Sequence, residues 1–95
     1  MNSSSIKILF FGLFKDIIGL KEFELQQVAK IEFSKFLLEL QDQLNQFGKI
    51  KEFIEDKSLK QPVFIFLNGS VVNNFDNFFV NPGDEVAFLP PVGGG

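Results

Sequence analysis

Few residues in this chain can do chemistry on their own. Its 95 residues include no His, Cys, Tyr or Arg. The usual general base, the thiolate nucleophile and the guanidinium clamp for an oxyanion are therefore all absent. A serine with a lysine, or a pair of carboxylates, could still serve. Yet Ser34 stands before a helix-forming run and reads as its cap, Ser58 and Ser70 fall among turn residues, and Asp84 and Glu85 read as the end of a turn and the start of a strand. There is no Walker loop and no G-x-G-x-x-G, and no helix follows Gly93-Gly94-Gly95 to hold a phosphate at its N-terminus. With neither His nor Cys, no metal site is expected, and no bound cofactor is called for. The group with chemical promise is the carboxylate of Gly95. A free carboxylate is inert until a partner activates it, so the sequence reads as a carried reagent without a self-contained active site.

The residues ahead of Gly95 are suited to presenting it. An apolar strand over residues 85–89 meets Pro90 and Pro91, then Val92 and three glycines. Two prolines hold φ near −65° and favour extended backbone, which carries the tail away from the body. From Pro90 to Gly95 the chain can reach roughly 20 Å at full extension. Glycines without Cβ let other backbones approach closely, as a narrow channel requires. Residues 1–89 are thus expected to form the folded domain and residues 90–95 an extended tail.

Composition narrows the partners. The chain is long enough for one domain with one core. At 45% hydrophobic, with 14 Phe, it has the makings of a packed interior. A net charge of −3, nine scattered lysines and no Arg argue against direct binding of nucleic acid. The absence of Cys removes any disulfide framework. The polar start Met1-Asn2-Ser3-Ser4-Ser5 lacks the basic-then-apolar order of a signal peptide, and Lys15 interrupts the apolar run that follows, so neither a membrane span nor export is expected. A cytoplasmic location is the expectation.

Along the chain, residues 6–14 form a β-rich run, apolar on both faces from Ile8, that suits a central strand. Residues 15–19 read as a short helical turn closed by Gly19, and residues 22–28 contain the alternation of a half-buried strand that pairs with the first. After Ser34 as N-cap, Phe36, Leu37, Leu40, Leu44 and Phe47 recur at helical spacing, giving an amphipathic helix of about 13 residues that ends at Gly48. A shorter helix over residues 49–56 would bury Ile50, Phe53 and Ile54, with a loop over 57–62. Residues 63–67 are a second internal strand, and Asn68 followed by Gly69 supplies a type I′ turn into Val71 and Val72. Residues 73–81 read as an irregular crossing anchored by Phe75, Phe78 and Phe79. Asn81-Pro82-Gly83-Asp84 turns the chain into the last strand, residues 85–89. The sum is an α+β domain, a ubiquitin-like β-grasp roll whose mixed sheet carries one main helix on one face.

Lys7-Ile8-Leu9-Phe10-Phe11-Gly12, the run from Gly83 through Asp84-Glu85-Val86-Ala87-Phe88-Leu89 to Pro90-Pro91-Val92, and the closing Gly94-Gly95 resemble the small subunit of molybdopterin synthase, a ubiquitin-like sulfur carrier. The resemblance spans the order of elements and is specific at the two ends. It implies that an E1-like adenylating enzyme uses ATP to activate the terminal glycine and that a sulfur donor converts it to a thiocarboxylate. The tail would then enter the synthase large subunit and give sulfur to a cyclic pyranopterin precursor, building the dithiolene that binds molybdenum or tungsten. By position, Gly95 would carry the sulfur and Gly94 would provide clearance before it. Pro90, Pro91, Val92 and Gly93 would thread the pocket. The family's apolar docking patch would fall on Phe11, Val71 and Leu89.

Gly93 departs from relatives that carry Thr or Ser there, and residues 58–81 match loosely. Ubiquitin-related modifiers resemble the same family, with a tail joined to protein lysines or feeding sulfur to tRNA thiolation. The thiamine sulfur carrier fits less well, because those chains are usually shorter and lack the Pro-Pro-Val ending. A plain interaction domain with an inert tail is a further alternative. One helix covers one side of a sheet, so the side bearing Leu9 and Phe11 is expected to stay exposed unless residues 73–80 fold across it.

Overall fold

The first apolar run begins as a strand and ends as a helix. In a computed structural model of the chain, residues 5–46, 50–55, 58–73 and 78–91 are described. Strand β1 (Ser5–Phe10) buries Ile6, Ile8 and Phe10 and turns Lys7 and Leu9 to the other side, the period of two that one core-facing surface imposes. The strand does not continue to residue 14 as its composition suggests. Gly12 adopts φ 55° and ψ −126°, a region essentially closed to side chains, and the chain re-enters as helix α1 (Leu13–Ile18). Helical spacing brings both Phe14 and Ile18 into the core. Gly19, left-handed, closes the helix as expected by donating its N–H to the Lys15 carbonyl at 2.8 Å. Strand β2 (Glu22–Gln26) then returns antiparallel to β1, with Leu25 opposite Ile6 and Glu22 opposite Leu9.

The main helix opens without the serine cap that the sequence suggests. Helix α2 (Phe33–Gln43) is 11 residues long, and its N-cap is Glu32, in extended backbone. The reason lies across the fold. Strand β3 (Ile31–Glu32) pairs with β8 (Phe79–Val80), and the Phe33 N–H, which a helix start would otherwise leave free, donates to the Phe78 carbonyl at 2.9 Å. Ser34 lies inside the first turn, its hydroxyl 3.3 Å from a Glu32 carboxylate oxygen. Phe36, Leu37, Leu40 and Leu44 are buried as their spacing requires. Phe47 and Gly48 lie outside the described residues.

The second helix expected over residues 49–56 is a single 3-10 turn (Ile50–Glu52) followed by strand β4 (Ile54–Glu55). Ile50, Phe53 and Ile54 are all buried, so the apolar spacing was real. A segment this short gains little from helical propagation, and the Phe53 carbonyl instead accepts the Lys60 N–H at 2.8 Å. The loop expected over 57–62 holds β5 (Ser58–Leu59), antiparallel to β4. Residues 73–81 also contain more order than foreseen, since β8 belongs to them. Phe78 packs on Phe33, ring centroids 4.9 Å apart, and Val80 is buried. Phe75 lies outside the described residues.

Strand β6 (Phe64–Leu67) turns through Asn68 and Gly69, both left-handed at φ 51° and 87°, into β7 (Ser70–Val71), as a type I′ dipeptide should. Asp84 donates its N–H to the Asn81 carbonyl at 3.0 Å, closing the turn that launches β9 (Glu85–Leu89). The Asn68 side chain ties the two turns together. Its Oδ1 accepts the Glu85 N–H at 2.9 Å, and its Nδ2 donates to Asp84 Oδ1 at 3.1 Å.

The main sheet runs β2-β1-β9-β6-β7, with β1 and β9 parallel and every other pair antiparallel. First and last strands therefore lie side by side in the middle, under α2: the β-grasp arrangement. Among the described residues no polar or charged residue is buried. At the centre the rings of Phe10 and Phe88 stack at 5.8 Å, and Phe53 meets Phe88 edge-on at 5.1 Å and Phe10 at 5.9 Å. Phe88→Ala opens a cavity in that cluster and is expected to lower stability by about 3–5 kcal/mol, read from denaturant unfolding. A loss below about 1 kcal/mol would show that the cluster closes over the gap.

Candidate functional site

Where the inner side chains of the sheet meet α2, the outer ones meet no helix. Alternation from the buried Ile8, Phe10, Ile65, Val86 and Phe88 assigns Leu9, Phe64, Phe66, Ala87 and Leu89 to the opposite face. The registers set them in rows. Leu9 pairs with Ala87, Ala87 with Phe66, and Phe66 with Val71. One step further, Leu89 pairs with Phe64. Phe11 lies just beyond the paired Phe10 and Phe88, its N–H donating to the Phe88 carbonyl at 3.1 Å, which brings it beside Leu89. Phe11, Phe64 and Val71 are 44%, 47% and 45% exposed. Leu89 is half-buried.

Phe11, Val71 and Leu89, singled out in the sequence, thus share one face. Phe11 and Leu89 are neighbours, and Val71 is reached through Ala87 and Phe66. Residues 78–80 do not fold over them, because β8 pairs with β3 and packs beside α2. Leu9 lies on this face with Phe11, as alternation along the first strand predicts, while the sequence missed Phe64 and Phe66 as members of it. Residues 63–67 read as a strand buried on both sides, and only the register shows that Phe64 stands in the same row as Leu89.

The rim of the face is polar. Lys7 pairs with Glu24 on one side and Glu85 on the other. A cleft of about 400 Å³ opens at the end of β1, lined by Leu9, Phe10, Phe11, Gly12, Lys15, Lys21 and Glu22. Its ionisable groups are Lys15, Lys21 and Glu22, all exposed. Asp84, the nearest carboxylate to the last turn, is occupied: its Oδ2 accepts the Asn81 N–H at 2.8 Å and its Oδ1 the Asn68 amide. Among the described residues no group of three or more acidic side chains could hold a metal, and no helix is long and apolar enough to cross a membrane.

The face runs directly into the start of the tail. Pro90 is half-buried and Pro91 exposed, one and two residues beyond Leu89. Val92, Gly93, Gly94 and Gly95 lie outside the described residues. The arrangement offers an apolar surface, ringed by charge, at the root of a segment that begins with two prolines. It can bind a partner and direct that segment toward it.

Several solved structures share this fold. SAMP1 from Haloferax volcanii, a small archaeal modifier protein, superposes with a TM-score of 0.70 at 21% identity, covering 96% of this chain and 99% of that one. A putative molybdopterin converting factor subunit 1 from Pyrococcus furiosus gives 0.67 at 23% identity, covering 95% and 100%. A chain from the complex of subunits 1 and 2 of molybdopterin-converting factor from Helicobacter pylori gives 0.55 at 26% identity, covering 96% and 99%. Comparison with curated proteins finds no match. The ThiS family matches residues 8–95, from the first buried strand through the glycine tail, so this chain belongs to the ThiS family of ubiquitin-like sulfur carriers.

Proposed function

We propose that this chain is the small subunit of a molybdopterin synthase, with residues 1–89 as the folded body, residues 90–95 as the tail, and Gly95 as the sulfur-bearing residue. The observation that carries the reading is an exposed apolar face continuous with the tail root, on a chain without His, Cys, Tyr or Arg. Such a protein acts by docking and delivering. A large-subunit partner is supported by the Helicobacter pylori complex, in which a chain of this fold is held with subunit 2.

The chemistry is that of an activated carboxylate. An oxygen of the Gly95 carboxylate attacks the α-phosphate of ATP on an E1-like enzyme, forming an acyl adenylate and releasing pyrophosphate. A sulfur donor delivering hydrosulfide then displaces AMP and leaves the thiocarboxylate. Sulfur passes from there to the pyranopterin precursor, and water restores the carboxylate. ATP is thus consumed by the activating partner and is not bound here. On the body, Phe11, Leu89 and Val71 dock the partner. Pro90, Pro91, Val92 and Gly93 lead the tail in, and Gly94 passes a constriction that a side chain would block.

Incubation with ATP, the cognate E1-like enzyme and a sulfur donor is expected to exchange one oxygen for sulfur at Gly95, detected by mass spectrometry of the C-terminal peptide. An isopeptide bond to a protein lysine, formed in place of the exchange, would mark the chain as a modifier instead. Adding one residue after Gly95 is expected to abolish sulfur loading while leaving the melting temperature unchanged, because a run of glycines has no side chains to pack. Loading of the extended chain, with no trimming, would remove Gly95 from the mechanism.

Phe11→Lys tests the docking face. The ring is 44% exposed, so the substitution should spare the fold yet weaken binding to the large subunit by about 2 kcal/mol or more, as loss of an aromatic anchor does. Unchanged affinity in a titration would discard Phe11 as a docking residue. A large fall in melting temperature would return it to the core.

A further inference from the structure

Pro90 leaves the sheet over a residue that has no side chain. A Cβ placed on Gly12 would lie 3.0 Å from Cγ of Pro90 and 3.4 Å from Cδ, inside the 3.5–4.0 Å of ordinary carbon contact. The backbone on both sides of this approach is held. On the Gly12 side, the Phe11 N–H bonds to the Phe88 carbonyl at 3.1 Å, Phe14 donates to the Phe11 carbonyl at 3.1 Å, and Asp16 donates to the Gly12 carbonyl at 3.2 Å. On the Pro90 side, Leu89 is paired with Phe64, and the pyrrolidine ring fixes its own φ. A Cβ at position 12 would make the ring give by a few tenths of an ångström, against the last paired residues of β9 on one side and the start of α1 on the other.

We infer that Gly12 is the positioning residue for the tail: its bare backbone is the seat of the Pro90 ring, and that seat sets the direction in which residues 91–95 depart. The positive φ at Gly12 would by itself favour glycine. The close approach of Pro90 is a separate demand, and the two can be told apart by substitution. Strain from φ acts whatever stands at position 90. Crowding of the ring requires the ring. Only the use made of the tail's direction depends on the sulfur-carrier reading.

The chain contains no Cys, so Gly95→Cys gives a single site for a nitroxide label. The label's broadening of the Leu9, Phe11, Phe64 and Leu89 amide signals reports where the tail points in the isolated protein. Gly12→Ala is expected to redistribute that broadening when Pro90 is present and to change nothing further when Pro90→Ala is already in place, a double-mutant cycle with a clear coupling. Melting temperature should fall in both backgrounds, since strain at position 12 is common to them, and should fall further where the Pro90 ring adds its crowding. With Gly95 native, Gly12→Ala should lower kcat/KM for activation by the E1-like enzyme about tenfold, as misplacement of a reacting group does.

The same redistribution in both backgrounds, or none in either, would overturn the seat. If Gly12→Ala does not fold, Pro90→Ala alone decides, because it removes the ring without straining position 12. The broadening pattern must then change, and an unchanged pattern overturns the proposal. Because the label reports direction without any sulfur chemistry, it can fail while loading at Gly95 succeeds, or succeed while loading fails.

Discussion

Everything in this fold depends on the parallel pairing of the first strand with the last. β1 and β9 run side by side from Lys7 and Glu85 to Phe10 and Phe88, and the stacked rings of the final pair form the centre of the core. From that seam the sheet extends outward by antiparallel neighbours, β2 on one side and β6 with β7 on the other. The seam also defines the outer face, since Leu9, Ala87 and Leu89 alternate with the residues turned into the core. The polypeptide leaves the seam at the same end at which β1 turns into α1, so the tail root and Phe11 are brought together by the pairing itself.

A core with no buried polar group among the described residues is fixed by shape and area alone. That suits a protein whose work is done at its surface, because no internal network has to be kept satisfied while a partner binds. The free edge at β2 carries Glu22, Glu24 and Gln26 on its exposed side, and charge along an open edge discourages unwanted strand pairing. The apolar outer face has no such guard. Its continuity with the tail root is what gives it a reason to stay uncovered.

Much of this is legible in the sequence, and the misses have more than one cause. The last strand, its Asn-Pro-Gly-Asp turn, the Asn68 and Gly69 turn and the buried stripe of α2 arise from local residue chemistry, and the sequence shows each with sound bounds or sound faces. The misreadings at Ser34 and residues 73–81 concern places where a distant segment decides, while those at Phe14 and residues 49–56 are decided close by. Phe14 is helical because Gly12 turns the chain under the core. Ser34 is not a cap because Phe78, far along the chain, supplies the acceptor for the Phe33 N–H. Phe64 belongs to the outer face because of a register with Leu89 that no local pattern reveals. The apolar character of residues 63–67 is visible in the sequence, but not which half of it faces water.

The position of β9 has a consequence for the chain as it is being made. β9 sits between β1 and β6, so a nascent polypeptide that has not yet reached residues 85–89 holds two separated fragments of sheet and no centre. Long-range closure of this kind must wait for its late partner. A product truncated before β9 lacks the strand that joins β1 to β6 and is expected to stay open to proteolysis. Folding acts as an inspection of synthesis, passing only those molecules that contain the strand from which the tail departs.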